Sequence, residues 1–210
     1  RCVHVGFGMI RLGGERMRTR TGGAVKLRDV LAEAIERESE IIEQKNPALA
    51  EKETVARQVA IGSIIFHDLK RERNKNIDFD WDEVLRWEGD TGAYVQYTHA
   101  RLCSIVRKYG KPLDARVDAG LLDTPEDYAL ARKVAEFPGE IRRAADRLEP
   151  CILARYLLDL CAVLSSYYTK HKVLGEDEAV TAARVRLMDA VRQTIANGLY
   201  LLGIGSPKEM

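Results

Sequence analysis

From Leu27 onward the chain is dominated by one pattern, apolar residues at helical spacing. Leu27, Val30, Leu31, Ala34 and Ile35 recur at i, i+3, i+4, i+7 and i+8, which puts them on one face and predicts an amphipathic helix. Val55, Val59, Gly62, Phe66 and Leu69 form a second such face. Leu153, Tyr156, Leu157, Leu160, Leu164 and Tyr167 form another, as do Val180, Leu187, Met188, Val191, Ile195 and Leu199. Helices patterned this way are stable only when their apolar faces pack together, so the fold class expected is mainly α.

The punctuation supports that reading. Asn46-Pro47 interrupts the first two helices, and a helix from about Ala93 to Tyr109 is closed by Gly110 and Pro112. Thr124-Pro125-Glu126 has the form of a helix start, with a hydroxyl at the cap, Pro at the first position and acids in the first turn. Phe137-Pro138-Gly139 is expected to end that helix and open another, and the last helix is expected to end near Gly203. Outside the helices, residues 2–10 read as a short strand followed by a Gly13-Gly14 turn. Ile77 to Trp81 reads as a connector, and Asp82 to Trp87 as one helical turn or two. Glu88-Gly89-Asp90-Thr91-Gly92 is the strongest internal break and marks the main expected boundary.

A length of 210 residues corresponds to one domain, or one with a partial companion. With 46% hydrophobic and 31% charged residues the chain is globular rather than disordered, and a net charge of +1 excludes a polybasic protein while allowing a local basic face. No apolar run approaches the ~18–20 residues of a membrane span, and no signal-peptide pattern is present, so no membrane partner is expected. Cys2, Cys103, Cys151 and Cys161 form no CxxC pair and no His/Cys cluster, so no structural metal is expected. They read as small buried hydrophobes of a reducing compartment, against the alternative of a catalytic thiol. The opening at Arg1 with a strand-like stretch gives the expectation of a C-terminal part of something longer.

Three places carry chemistry. The glycine-rich stretch from Arg11 to Arg28 holds Arg11, Arg16, Arg18, Arg20, Lys26 and Arg28, and reads as a flexible, exposed, basic loop. Guanidinium forks and glycine-permitted backbone N–H groups suit phosphate oxygens, although the GxxxxGK[ST] loop of P-loop NTPases is absent. Tyr94 and Tyr97 lie three apart on a helix, with Arg101 one turn beyond Tyr97, a platform on which unpaired bases can stack. The bland alternative is two tyrosines half packed into a core. Tyr167-Tyr168 with Lys170, His171 and Lys172 repeats the aromatic-plus-base theme at a helix end, which a snorkelling helix end explains equally well. His4, His67, His99 and His171 lack metal spacing, and His99 and His171 read as satisfied structural histidines. No carboxylate pair reads as acid/base machinery.

These residues resemble a known family. His4-Val5-Gly6-Phe7-Gly8-Met9, the Arg16-Met17-Arg18-Thr19-Arg20 loop, Ile64 to Leu69 and above all Glu88 to Arg101 are similar to arginyl-tRNA synthetase, a class I aminoacyl-tRNA synthetase. The ending from Asn197 to Ile204, running to Met210, resembles that family's C-terminus. The resemblance implies an arginine–tRNA ligase as the parent protein, cytoplasmic, using ATP with Mg2+, L-arginine and tRNA(Arg). It implies a Rossmann-type catalytic domain ending at residues 1–24, a helical tRNA-contacting connector over 25–87 and an all-α anticodon-binding domain over 88–210. By the same resemblance Arg16, Met17, Arg18, Thr19 and Arg20 are the mobile ATP loop, while Tyr94, Tyr97, Arg101, Tyr168 and Met210 face the anticodon. That loop usually reads Lys-Met-Ser-Lys-Ser in class I enzymes; Arg16 keeps the first charge and Arg18 replaces a serine. The His-Ile-Gly-His-type signature and the arginine pocket lie upstream in the family, so the segment alone is expected to be inactive. A freestanding, non-catalytic tRNA-binding module and a purely structural fragment are the competing readings.

Overall fold

The computed structural model describes residues 2–12, 15–16, 26–113, 117–175 and 177–210. Seven α-helices and a three-stranded sheet make up the fold among these residues. The strands are β1 (Ile10–Leu12), β2 (Glu15–Arg16) and β3 (Ile77–Phe79), in the order β2-β1-β3. The helices are α1 (Leu27–Lys45), α2 (Lys52–Leu69), α3 (Trp81–Val84), α4 (Gly92–Tyr109), α5 (Pro125–Arg147), α6 (Cys151–Lys170) and α7 (Glu178–Leu201).

Helix ends follow from local chemistry. Thr91 caps α4 by accepting the Tyr94 N–H at 3.2 Å, and Gly110 closes it in the left-handed region at φ 68°, which glycine adopts without strain. Thr124 and Asp127 form a capping box at the start of α5, with Pro125 just inside it. The core joins α4 to α7: Leu102, Leu130, Leu157, Leu160, Leu164, Met188, Ile195 and Leu199 are fully buried in one cluster, and Phe66 of α2 belongs to it. A smaller cluster of Ile42, Leu49, Val55, Ala56, Val59 and Ala93 packs α1 and α2 against the start of α4, with Trp87 and Met210 at its edge.

The close approach of α2 and α4 depends on two glycines. A Cβ on Gly92 would sit 2.8 Å from the Phe66 Cβ and 2.9 Å from the Gly62 carbonyl oxygen, and one on Gly62 would meet the Gln96 amide at 2.8 Å. Across that contact Gln96, fully buried, donates from Nε2 to the Gln58 carbonyl at 3.2 Å and to the Gly205 carbonyl at 2.8 Å. The tail beyond α7 is thereby laid along α2 and α4.

Five expectations are corrected. The N-terminal strand is Ile10–Leu12 rather than residues 2–10. Only the end of that stretch finds a ladder partner, while Val3, Val5 and Phe7 stay exposed. Glu15 and Arg16 are strand residues paired antiparallel to β1 and not loop, whereas Met17, Arg18, Thr19 and Arg20 lie outside the described residues. Ile77–Phe79 is a strand, parallel to β1 with Ile77 opposite Ile10, and not a bare connector. Helix α5 runs through Pro138 without ending, because Leu130, Val134, Phe137, Ile141 and Ala144 keep one continuous stripe on the core. Pro138 itself is exposed, so its ring and missing N–H disturb only the solvent side. Helix α6 is interrupted by Arg155 and Asp159, so no unbroken apolar run of membrane length is present, although by length and composition alone it could span one, with a mean hydropathy of 1.3. Its apolar residues are instead the centre of the bundle core. Lastly, the cysteines are not all buried: Cys151 and Cys161 are, whereas Cys103 is half-buried and Cys2 is exposed.

Candidate nucleic-acid interface

Helix α4 places the predicted aromatic residues one turn apart, and they meet different surroundings. Tyr94 is half-buried and packs on the bundle core, its hydroxyl beside Ser165 and Thr98; burial raises its pKa. Tyr97 is 42% exposed. Arg101, one turn on, is exposed and lays its guanidinium carbon 4.4 Å from the centre of the Tyr168 ring. Tyr168 comes from the last turns of α6, and its hydroxyl is buried without a hydrogen-bond partner among the described residues. Desolvation pushes that hydroxyl's pKa up, with Arg101 opposing the effect.

The tail completes the surface. The Nδ1 of His99, fully enclosed, lies 2.9 Å from the Pro207 carbonyl oxygen, which accepts from the Nδ1–H tautomer. Desolvation lowers the His99 pKa, with the Pro207 carbonyl opposing the effect, and Cys103 Sγ lies 3.7 Å from Nε2. Asn46 Nδ2 donates to the Met210 carbonyl at 3.0 Å. Met210 is thus brought beside Tyr97, and the two line both of two adjoining recesses. One, of about 310 Å3, also includes Arg101, Arg107, Lys208 and Glu209; the other, of about 440 Å3, includes Lys45, Asn46, Trp87 and Glu88. Arg107 is ion-paired with Glu209.

The five residues expected at the anticodon therefore do not share one face. Tyr97, Arg101 and Met210 are together in one recess, Tyr168 joins through the Arg101 guanidinium, and Tyr94 is turned toward the bundle. The neighbouring Tyr167 is 1% exposed and donates to Asp127 Oδ1 at 2.8 Å, while Lys170 and His171 are tied to Glu126. Those three residues of the helix-end cluster serve the fold. Sequence reasoning missed Trp87, Lys45 and Asn46. The signal for Trp87 was an indole directly before the Glu88–Gly92 break, at a position expected to be a plain helical turn.

What this surface can do is hold a polyanion with unpaired rings. Aromatic faces accept stacked bases, and guanidinium and ammonium groups beside them accept phosphate. Among the described residues no group of three or more His, Cys, Asp or Glu side chains could hold a metal ion.

Comparison with known proteins gives these features a family. Residues 95–210 match the model of the DALR anticodon binding domain, and residues 1–81 match that of the class I (R) tRNA synthetase catalytic domain. The fold is thus that of a helical anticodon-binding domain joined to part of a class I synthetase module. The chain belongs to the arginyl-tRNA synthetase family. It is 43% identical to an arginine–tRNA ligase of Clostridium beijerinckii over all 210 residues, and 42% identical to one of Lactobacillus johnsonii over 207. In each case it spans 37% of the relative's length, little more than a third. Among solved structures it superposes on the arginyl-tRNA synthetase of Thermus thermophilus with a TM-score of 0.86 at 40% identity, covering 97% of this chain and 35% of that one. The Plasmodium falciparum enzyme shares the fold, with a TM-score of 0.80 at 23% identity over 99% of this chain and 35% of that one.

Proposed function

We propose that this chain is part of a cytoplasmic arginine–tRNA ligase, which activates L-arginine with ATP and Mg2+ and transfers it to the 3′ end of tRNA(Arg). Within it, residues 88–210 bind the anticodon region, residues 25–87 form a helical connector that contacts tRNA, and residues 1–24 belong with the catalytic domain. The observation that carries this reading is the arrangement around α4. Arg101 shares a recess with Tyr97 and Met210 while its guanidinium covers Tyr168.

Each part has a distinct task. Tyr97 offers an open ring to a base, which needs no particular base identity. Arg101 is held flat by Tyr168 and keeps its N–H edge free for a phosphate or a base edge. Met210 supplies a soft apolar contact at the floor. Tyr94 supports α4 from the bundle side. The Arg16–Arg20 loop has the donor set that suits the phosphates of ATP, since guanidinium forks pair with phosphate oxygens. ATP supplies the activation chemistry when bound.

The test is a titration of this chain with an arginine tRNA and with the same tRNA carrying a changed anticodon, both at one fixed salt concentration. Fixed salt matters because phosphate contacts alone can produce affinity. A preference for the arginine anticodon is the expected result, with Tyr97→Ala weakening tRNA binding by about 1–3 kcal/mol, the scale of one stacked base. Equal affinity for the two tRNAs overturns the reading.

A further inference from the structure

One wall of the 440 Å3 recess has no role in the surface just described. Trp87 stands beside Tyr97 with ring centroids 6.1 Å apart and planes 40° from parallel, too close and too tilted to admit a third ring between them. The Lys45 ammonium lies 5.5 Å from the indole centre. The indole N–H does not point to solvent: it donates to Glu38 Oε1 at 2.7 Å, and Glu38 is completely buried on α1. Three separate segments thus meet here, the end of α1, the residues before α4, and the tail that Asn46 holds through the Met210 carbonyl.

Glu38 is a poor choice for packing α1. Its neighbours along the buried stripe are Ala34 and Ile42, its second oxygen is buried with no partner among the described residues, and desolvation raises its pKa to about 7. An aliphatic side chain would fill that position without a desolvation penalty. What the carboxyl supplies is one strong acceptor at a fixed point, and that acceptor fixes the rotation of the indole. The ring so held is half-exposed, faces a nucleotide-sized recess, and has Lys45 beside it, with Arg101 and Lys208 in the adjoining recess. Glu88 is the acid on the recess rim, and Glu209 is neutralised by Arg107.

We propose that Trp87, with Tyr97 and Met210, forms a seat for one unpaired nucleotide of an RNA loop, and that Glu38 is the positioning residue that holds the indole in place. The base stacks on the open face of Trp87, where it displaces the Lys45 ammonium toward the nucleotide's phosphate. This rests on the tRNA-binding reading above and adds to it a residue and a seat that reading does not use.

The experiment uses this 210-residue chain with Trp81→Phe, which leaves Trp87 as the sole tryptophan and its emission as the signal. The probe is an anticodon stem-loop RNA bearing an arginine anticodon, with a set in which each loop nucleotide in turn is abasic. RNA is expected to quench Trp87 emission in a saturable way, and one abasic position to remove the quenching. Trp87→Ala, in the chain that retains Trp81, is expected to weaken binding about ten- to a hundredfold, the scale of one stacked base. Glu38→Leu is expected to weaken binding and to abolish most of the quenching with the helical content unchanged, while Glu38→Gln, which keeps an acceptor for the indole, restores both. Quenching absent while Tyr97→Ala still weakens binding overturns the seat but leaves the tRNA reading standing, and holds even if Trp87→Ala does not fold. Equal behaviour of Glu38→Leu and Glu38→Gln overturns the positioning role. A chain that binds no stem-loop overturns the seat and the tRNA reading together.

Discussion

The bundle buries Asp127 and the α1–α4 junction buries Glu38, and these two carboxylates are treated in opposite ways. Asp127, at the start of α5, is 1% exposed and has every side of its carboxylate occupied. Oδ1 accepts from the Tyr167 hydroxyl at 2.8 Å, and Oδ2 accepts from the Thr124 N–H at 3.2 Å and hydroxyl at 2.6 Å. It also lies in the first turn of a 23-residue helix, where a negative charge is favoured. Glu38 is as deeply buried but receives one bond, from an indole that reaches the surface. The difference separates two uses of a buried acid. A fully satisfied network holds elements together, whereas a half-satisfied one gives up stability to fix a single group.

The strongest test of this contrast is Asp127→Ala. It removes the reciprocal cap and leaves the Tyr167 hydroxyl buried and unpaired, so a loss of about 2–4 kcal/mol is expected in urea denaturation. A loss below about 1 kcal/mol would mean that the network is ornamental and the contrast false. RNA affinity of the molecules that remain folded is expected to stay unchanged.

Glu38 sharpens the other side through pH. Its pKa is raised in the fold from 4.5 to about 7, so the folded chain keeps a proton that the unfolded chain releases. Stability therefore falls as pH rises from about 4.5 to about 7, on the order of 2–3 kcal/mol across the window. His67, pushed down to about 4 by desolvation and by Arg71 and Lys70, gives a slope of the opposite sign below its ordinary 6.5. The useful quantity is thus the difference between wild type and Glu38→Gln, measured by denaturant unfolding across that range. Glu38→Gln is expected to flatten the falling component. Parallel curves for the two proteins would show that Glu38 does not titrate in the fold.

Tyr167→Phe is a milder probe of the bundle network. Asp127 keeps its two bonds from Thr124, so only one hydrogen bond is lost, and about 1–2 kcal/mol is expected in the same assay. A loss as large as that of Asp127→Ala would place the energy in the tyrosine bond rather than in the cap.

How much of this could be read from the sequence follows the range of the interactions. The capping box at Thr124 and the stop at Gly110 are local, and the residue types alone announce them. The run of α5 through Pro138 is not local. Proline at that position is a stop signal, overridden by a stripe of core contacts with α6 and α7. β3 is equally hidden, because three residues become a strand only through a partner 67 positions earlier. At the candidate site, Tyr97 and Arg101 were visible as i, i+4 neighbours and Tyr168 as part of an aromatic pair at a basic helix end, while the resemblance to a family supplied Met210. Tyr94 was visible too, but helical spacing could not say that a neighbour one turn from Tyr97 would be drawn into the bundle by α6. The indole of Trp87 before the Glu88–Gly92 break was legible, but its significance was not, because that lies in a bond to Glu38, 49 residues away, and in the placement of the tail.

The smallest expected effect lies at the contact that joins the two regions, Arg101 on Tyr168. An exposed guanidinium over a ring contributes about 0.5–1 kcal/mol, so Arg101→Ala is expected to change stability by no more than that. Its effect on RNA binding is of a different kind. Removing one phosphate-facing charge lowers the salt dependence of log K by roughly one unit of slope at most, and weakens binding to all anticodons about equally. Arg101→Lys separates the two contributions, because it keeps the charge and therefore the slope but loses the flat stack on Tyr168. If Arg101→Lys behaves like Arg101→Ala, the planar stack rather than the charge is what α4 presents to RNA, and the basic character of this face is incidental. If it behaves like wild type, Tyr168 serves only to cover the core, and the bundle's contribution to the site is the position of α4 alone.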